Sequence, residues 1–287
     1  MGISKPIILE IAHNTLAINE FGMVTCYYLW GTERGLLIDT GCGMCNLREV
    51  VDELTTMPYD VVITHAHCDH AAGMDRWEKC WIHPADIPSL TTPEGKKKLD
   101  EGILSYPEMM RYAGTFDAYD IKEDQIRVPE HAPELLPMED GHVFHLGGRD
   151  IEVMHTPGHT LGEVVLIDPK ERILFSGDAC NHNLLLLSTS VNTGLKGLLK
   201  LKTKESLWDR NFNGHIGYGG SNVHMQNNDH VLDTCIAIMR SIIAGTAEVE
   251  LKKSLPTLPP MAGVTVNGVR VSFDPNRIID PGEEPAE

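Results

Sequence analysis

The stretch Thr64-His65-Ala66-His67-Cys68-Asp69-His70 packs three imidazoles and a carboxylate into six residues. Imidazole is a borderline-soft donor that is neutral near pH 7, and carboxylate is a hard anion. Together they make a donor set that Zn2+ or Fe accepts readily. The preceding Tyr59-Asp60-Val61-Val62-Ile63 is short, apolar and β-branched, the pattern of a buried strand. The donors therefore fall on a loop leaving a strand's carboxyl end, where open α/β sheets build their sites. One loop leaves coordination positions unfilled, and more donors follow other apolar runs. Thr156-Pro157-Gly158-His159-Thr160 closes one run and Ser176-Gly177-Asp178-Ala179-Cys180 another; Asn213-Gly214-His215-Ile216-Gly217 presents a third glycine-flanked donor. Two divalent ions side by side would share a hydroxide, since bound water falls from a pKa near 16 to about 7. That hydroxide attacks an electrophilic carbonyl while one ion polarises the carbonyl oxygen. Asp69 can also orient the nucleophile, as ligand or acceptor, so no Ser-His-Asp or Cys-His arrangement is needed.

The elements that must position these donors follow from periodicity. Residues 7–30 alternate apolar and polar side chains, strand chemistry with turns at His13-Asn14 and Glu20-Phe21-Gly22. Leu36-Leu37-Ile38-Asp39-Thr40-Gly41 reads as another buried strand, ending in an acid and a glycine. Leu47, Val50, Val51 and Leu54 have amphipathic helix spacing. Residues 84–137 differ in texture. Pro, Glu and Lys punctuate two helices at about 94–104 and 107–113, read as a helical insertion beside the site, because no independent apolar core is evident. Strand pattern resumes over 143–146 and 151–155, and 164–167 pairs with 173–175 across Asp168-Pro169. A helix near 229–243 precedes a C-terminal hairpin extension, 263–280, turned by Asn267-Gly268 in type I′ geometry. Residues 281–287 are expected to fray. The whole, 1–287, reads as a single domain.

Composition narrows the partners. At 287 residues, 42% hydrophobic and 23% charged, the chain has an ordinary globular make-up and can bury a sizeable core. Its net charge of −17 disfavours nucleic acid, which needs basic clusters; the one tight cluster, Lys96-Lys97-Lys98, reads as a solvated helix face. No apolar run is long enough to span a membrane, no secretion signal appears, and Pro6 stands where a myristoylation signal wants Ser or Thr. Seven scattered cysteines fit reduced thiols and a cytoplasmic setting better than a disulfide framework. Cys42-Gly43-Met44-Cys45 is a lone C-x-x-C whose bland reading is small residues at a helix start. The expected partner is a small-molecule substrate, with no nucleic acid and no membrane; the oligomeric state is left open, a homodimer among the options.

Taken in order, Leu37-Ile38-Asp39-Thr40-Gly41, His65-x-His67-x-Asp69-His70, Thr156-Pro157-Gly158-His159-Thr160, Ser176-Gly177-Asp178 and Gly214-His215 resemble the motifs of the metallo-β-lactamase fold superfamily, in its binuclear branch. The resemblance runs from about residue 7 to 220. It implies a four-layer αββα sandwich, two β-sheets face to face with helices outside and the metals at one edge. It further implies one metal on His65, His67 and His159, a second on Asp69, His70 and His215, and Asp178 bridging them. Asp39 would steady the His-rich loop through hydrogen bonds. His224 or His230 could stand in for His215. Cys68 falls between ligands and is expected to point away.

The implied activity is a zinc-dependent hydrolase, with two Zn2+ per chain and Fe or Mn as alternatives, acting on a small ester, lactone, thioester or β-lactam. Acyl-homoserine lactonases of the superfamily carry a Tyr three residues after the bridging Asp. Asn181 stands there instead, which counts against a close lactonase. Glyoxalase-II-type enzymes bind glutathione thioesters through basic residues after the last His, and few occur here. Asn181, His182 and Tyr218 are polar groups that could face substrate, though a structural role is the better reading of each. Two alternatives remain on the same fold. A mononuclear iron dioxygenase of the persulfide type would use only His65, His159 and Asp178; a phosphodiesterase is disfavoured by the charge.

Overall fold

The computed structural model describes residues 5–119, 121–122, 125–217, 230–253 and 255–286. The chain opens with antiparallel strands β1 (Ile7–Ala12), β2 (Thr15–Glu20) and β3 (Val24–Trp30), then β4 (Gly35–Ile38). The turns between them fall where Asn14 and Phe21-Gly22 adopt positive φ. Helix α1 (Leu47–Leu54) returns the chain to β5 (Tyr59–Val62), which is followed by the short helix α2 (Cys68–Ala71) and by β6 (Lys79–Ile82). Helices α3 (Ile87–Thr91), α4 (Pro93–Leu104) and α5 (Tyr106–Ala113) come next, and β7 (Glu134–Pro137) completes a seven-stranded sheet in sequence order. The two helices expected at 94–104 and 107–113 are α4 and α5. The end of that segment is a strand of the sheet, paired parallel to β6.

The second half supplies β8 (Val143–His145), β9 (Asp150–His155), β10 (Val164–Asp168), β11 (Ile173–Phe175), β12 (Asn183–Leu185), α6 (Val191–Lys202), β13 (Arg210–Phe212), α7 (Val231–Ile243), β14 (Glu250–Lys252), β15 (Met261–Val266) and β16 (Val269–Phe273). The second sheet has the order β13-β11-β10-β9-β8. A third sheet, β12-β16-β15-β14, seats the C-terminal hairpin beside β12. Asn267 and Gly268 both have positive φ, as the hairpin turn required.

Three apolar clusters define the layers. Leu29, Leu36, Ile38 and Val62 of the first sheet meet Ile151, Val153, Leu166 and Phe175 of the second. Outside the first sheet, Leu47, Val51, Leu90, Ile103, Tyr106 and Met110 bring α1 and α3–α5 onto it. Outside the second, α6, α7 and the small sheet share one core through Leu195, Leu198, Cys235, Met239, Val264 and Val271. This is the αββα sandwich, with the small sheet added on the helical side. Leu184 and Leu186 lie in that core.

One expectation needs correction, and one helix went unread. Residues 281–286 do not fray: Asn192 donates to Glu283 (2.9 Å) and to the Glu284 carbonyl (3.0 Å), and accepts from the Ala286 amide (2.7 Å). The tail also supplies carbonyls of Arg277 and Ile278 to the first amides of α6, which otherwise lack partners. Helix α6 itself has no counterpart in the periodicity reading. Gly194 and Gly197 weaken its helical signal, and packing explains Gly197: a Cβ there would sit 2.6 Å from the Pro157 carbonyl oxygen. The helix lies directly against the loop that carries His159.

Among the described residues no helix is long and apolar enough to cross a membrane.

Candidate metal centre

Every donor sits just past the carboxyl end of a strand, and those ends share one edge of the sandwich. Strand β5 delivers residues 64–70, β9 delivers 156–160, β11 delivers Asp178, and β13 delivers His215. Their side chains converge. His65, His67 and His159 present ring nitrogens within 4.8 Å of one another, as do donor atoms of Asp69, His70 and His215, and of His65, His70 and Asp178. Asp178 stands between the first two groups: its Oδ2 lies 3.4 Å from His159 Nε2 and 3.1 Å from His215 Nε2. All seven residues singled out from sequence meet here. His224 and Tyr218 lie outside the described residues, and His230 is exposed at the start of α7.

The outward ring nitrogens of His65, His70, His159 and His215 are each tied down. His70 Nδ1 meets Asp39 Oδ2 at 2.8 Å, His159 Nδ1 meets the Leu185 carbonyl at 2.6 Å, and His215 Nδ1 meets the Met23 carbonyl at 2.9 Å. His65 Nδ1 lies 3.1 Å from Thr64 Oγ1 and 3.5 Å from Glu163 Oε1. These contacts fix ring orientation and leave Nε2 of His65, His70, His159 and His215 turned inward; His67 instead presents Nδ1, 2.7 Å from His159 Nε2. Asp39 also accepts from the Thr64 amide at 2.7 Å, so one buried carboxylate holds both the start and the end of the His-rich loop. Gly214 allows that closeness on the other side, since a Cβ there would lie 2.5 Å from the His70 ring. The 213–217 loop is moored to the first sheet: Thr25 Oγ1 and Asn19 Nδ2 donate to the Ile216 carbonyl, and Tyr27 Oη donates to the Asn213 carbonyl.

Electrostatics separates the donors into two kinds. Burial, reinforced by His70 and the other imidazoles, pushes His65 well below the usual range; burial and His159 push His67 down to about 3. Burial also lowers His159, against the pull of Asp178. At His70 burial opposes the cation, but Asp39 and Asp69 outweigh it and raise the group to about 9. At His215 burial is likewise overruled by Asp178 and Asp69, up to about 10. Burial would raise the Asp178 carboxyl, yet His215, His159 and His70 hold it well below the usual carboxylate range.

The donor set fits a metal on a specific observation. His65 Nε2, His70 Nε2 and Asp178 Oδ1 are buried and have no hydrogen-bond partner. Leaving such groups without hydrogen bonds costs free energy in an ordinary core, whereas cations bound in the cluster would take up these lone pairs.

Several supporting residues escaped the sequence reading. Glu163 is fully buried, accepts from the Asp178 amide at 2.9 Å, and is raised well above the usual range by burial and Asp178. Asp86 is buried beneath two donor loops. Its signal was an acid just past a short apolar run, the feature that drew attention to Asp39. Cys68 turns from the cluster as expected, its Sγ against Gly102 of α4. Cys42 and Cys45 are free thiols, and their backbone amides donate to the buried Glu20 carboxylate at 2.6 and 2.7 Å. Asn181 is buried and accepts from the Asn183 amide, a structural role, while His182 is exposed.

The sandwich and its edge of histidines and aspartates define a class, and comparison with known proteins agrees. Residues 19–221, which include all seven donors, match the family model for the metallo-beta-lactamase superfamily. The chain belongs to that superfamily. Among curated relatives, it is 30% identical over 189 residues to the human acyl-coenzyme A thioesterase MBLAC2, covering 58% of this chain and 65% of that protein. It is 26% identical over 152 residues to the probable metallo-hydrolase YqgX of Bacillus subtilis, covering 53% and 64%. The matches thus span just under two thirds of these relatives. Among solved structures, a metallo-beta-lactamase from Pontibacter korlensis superposes with a TM-score of 0.55 at 17% identity, covering 81% of this chain and 98% of that one. A superfamily protein from Sulfolobus tokodaii gives 0.53 at 17%, covering 81% and 85%. These structural likenesses speak to the fold.

Proposed function

We propose that this protein is a metal-dependent hydrolase that cleaves the acyl C–S bond of a thioester, releasing a carboxylate and a thiol, and that it holds two Zn2+ per chain. The observation that carries the reading is the convergence of seven donors with three buried, inward-facing atoms left unpaired. In this reading His65, His67 and His159 would hold one ion and Asp69, His70 and His215 the other, with Asp178 available to both groups. Ions bound there would supply a water acidified toward neutrality and an electrophile for the carbonyl oxygen. The chain's own residues do the rest. Asp39 and the Leu185 and Met23 carbonyls keep the imidazoles aimed, and Asp69 orients the attacking water.

The choice of thioester among ester, lactone and β-lactam rests on the similarity to the human acyl-coenzyme A thioesterase. Free thiols at all seven cysteines support a cytoplasmic setting. We also read the chain as one domain with a small-molecule substrate.

The test is metal quantification on the isolated protein, followed by a chromogenic panel of thioester, lactone, aryl ester and β-lactam substrates. Two zinc per chain with thioester fastest is the expected result. One iron per chain, with oxygen consumed on a persulfide, would replace this reading with the dioxygenase.

A further inference from the structure

We propose that Asp86 is the positioning residue that sets the His65–His67–His159 donor group, acting on that group and not on Asp69, His70 and His215. The inference rests on the metal-centre reading above. The three imidazoles come from loops on two different sheets, and one side chain grips both. Asp86 Oδ2 accepts from the Ala66 amide, between His65 and His67, at 2.9 Å. The same carboxylate accepts from Thr160 Oγ1 at 2.8 Å and, through Oδ1, from the Gly162 amide at 2.8 Å, just beyond His159. It is 2% exposed, so these bonds face little competition from water.

The seat is built for an aspartate. A Cβ on residue 162 would lie 2.7 Å from the Asp86 carboxyl, so glycine is required opposite it. The turn that carries Asp86 is itself braced on the same loop. His83 Nδ1 accepts from the Ala85 amide at 3.2 Å, its ring stacks on His155 at 3.9 Å, and His155 Nε2 meets the Leu161 carbonyl at 2.8 Å. One backbone bond also joins the loops, from the Val164 amide to the Thr64 carbonyl at 3.0 Å. It lies before His65 and does not reach the segment between the two histidines. The other donor group is fastened elsewhere, His70 on Asp39 and His215 on the Met23 carbonyl.

Asp86→Asn is the discriminating variant. An amide has one acceptor oxygen, yet two backbone amides point at two different carboxylate oxygens. Either orientation of Asn sets an N–H against an N–H, with almost no change in volume. The experiment strips the protein of metal, titrates it with Zn2+ and with Co2+, and records stoichiometry, affinity and thermal unfolding of the metal-free form. The parent is measured first: fewer than two ions per chain there would overturn the metal-centre reading itself. With two ions in the parent, Asp86→Asn should weaken one of them by about ten- to a hundredfold, the usual range for residues that orient ligands. The second affinity and the metal-free unfolding midpoint should stay near the parent values. Thr160→Val, which removes one bond of the three, should weaken the same ion by less, and Gly162→Ala should reproduce Asp86→Asn from the opposite side. Two ions of parental affinity in Asp86→Asn, or equal weakening of both ions, would overturn the proposal. If Asp86→Asn fails to fold, Thr160→Val decides by the same two criteria.

Discussion

The two donor groups at the edge of the sandwich are built on opposite plans. His65, His67 and His159 are three imidazoles that burial keeps neutral. They are held by Asp86, on the turn after β6 of the first sheet, and by the Leu185 carbonyl of β12 in the small third sheet. Asp69, His70 and His215 form an ion-paired group moored on the first sheet through Asp39, Met23, Asn19 and Thr25. Asp178 lies between and touches both. On the proposed assignment the edge holds two cradles that differ in what backs them, Asp86 behind one and Asp39, which also reaches Thr64 beside His65, behind the other; substitutions at Asp86 and its partners test whether they separate.

The most severe break of this comparison is removal of a proposed ligand. Residues that only orient ligands cost ten- to a hundredfold, so His67→Ala should cost hydrolysis more than about a hundredfold. The fold should survive, because His67 lies on an edge loop outside the apolar clusters; circular dichroism and unfolding of the metal-free variant check this. Full turnover with metal retained would contradict the assignment.

Asp178→Ala should release more metal than Asp39→Ala, since Asp178 faces both cradles and Asp39 backs only His70 and Thr64. Dialysis against a weak chelator, followed by metal analysis, measures it. Equal loss in both variants would mean that Asp39 holds the two cradles together.

Gly197→Ala probes the neutral cradle from behind. Its Cβ would meet the Pro157 carbonyl oxygen, an overpacking worth about 1–3 kcal/mol, and should shift the loop bearing His159. Lower stability with weaker binding of one ion is expected; unchanged metal affinity would show that the loop yields without moving His159. Thr25→Val, the mildest change, removes one donor to the Ile216 carbonyl and should cost about 1 kcal/mol while touching only the ion-paired cradle. Urea unfolding and the two metal affinities read it out, and loss at the other ion would sink the separation.

Much of this was legible before any coordinates. The contiguous donors at 65–70, the glycine-flanked His159, Asp178 and His215, the first four strands and the Asn-Gly hairpin all rest on short-range physics. Ligand spacing, strand alternation and positive-φ turns are properties of a few neighbouring residues. Helix α6 was not legible, because Gly197 serves a contact with a loop some forty residues earlier in the chain, at Pro157. Strands β12 and β13 pair in parallel with β16 and β11, partners that no local window contains.

Residue types and local order determined that the chain carries, on strand-end loops, a set of donors that could hold metal. Only the tertiary structure decided that His215 joins the cluster, that the last residues cap α6, and that Asp86 and Glu163 lie behind the ligands. Each of those facts is a hydrogen bond or a burial between segments far apart in sequence. Such pairings depend on how the two sheets stack, which no window of neighbouring residues encodes.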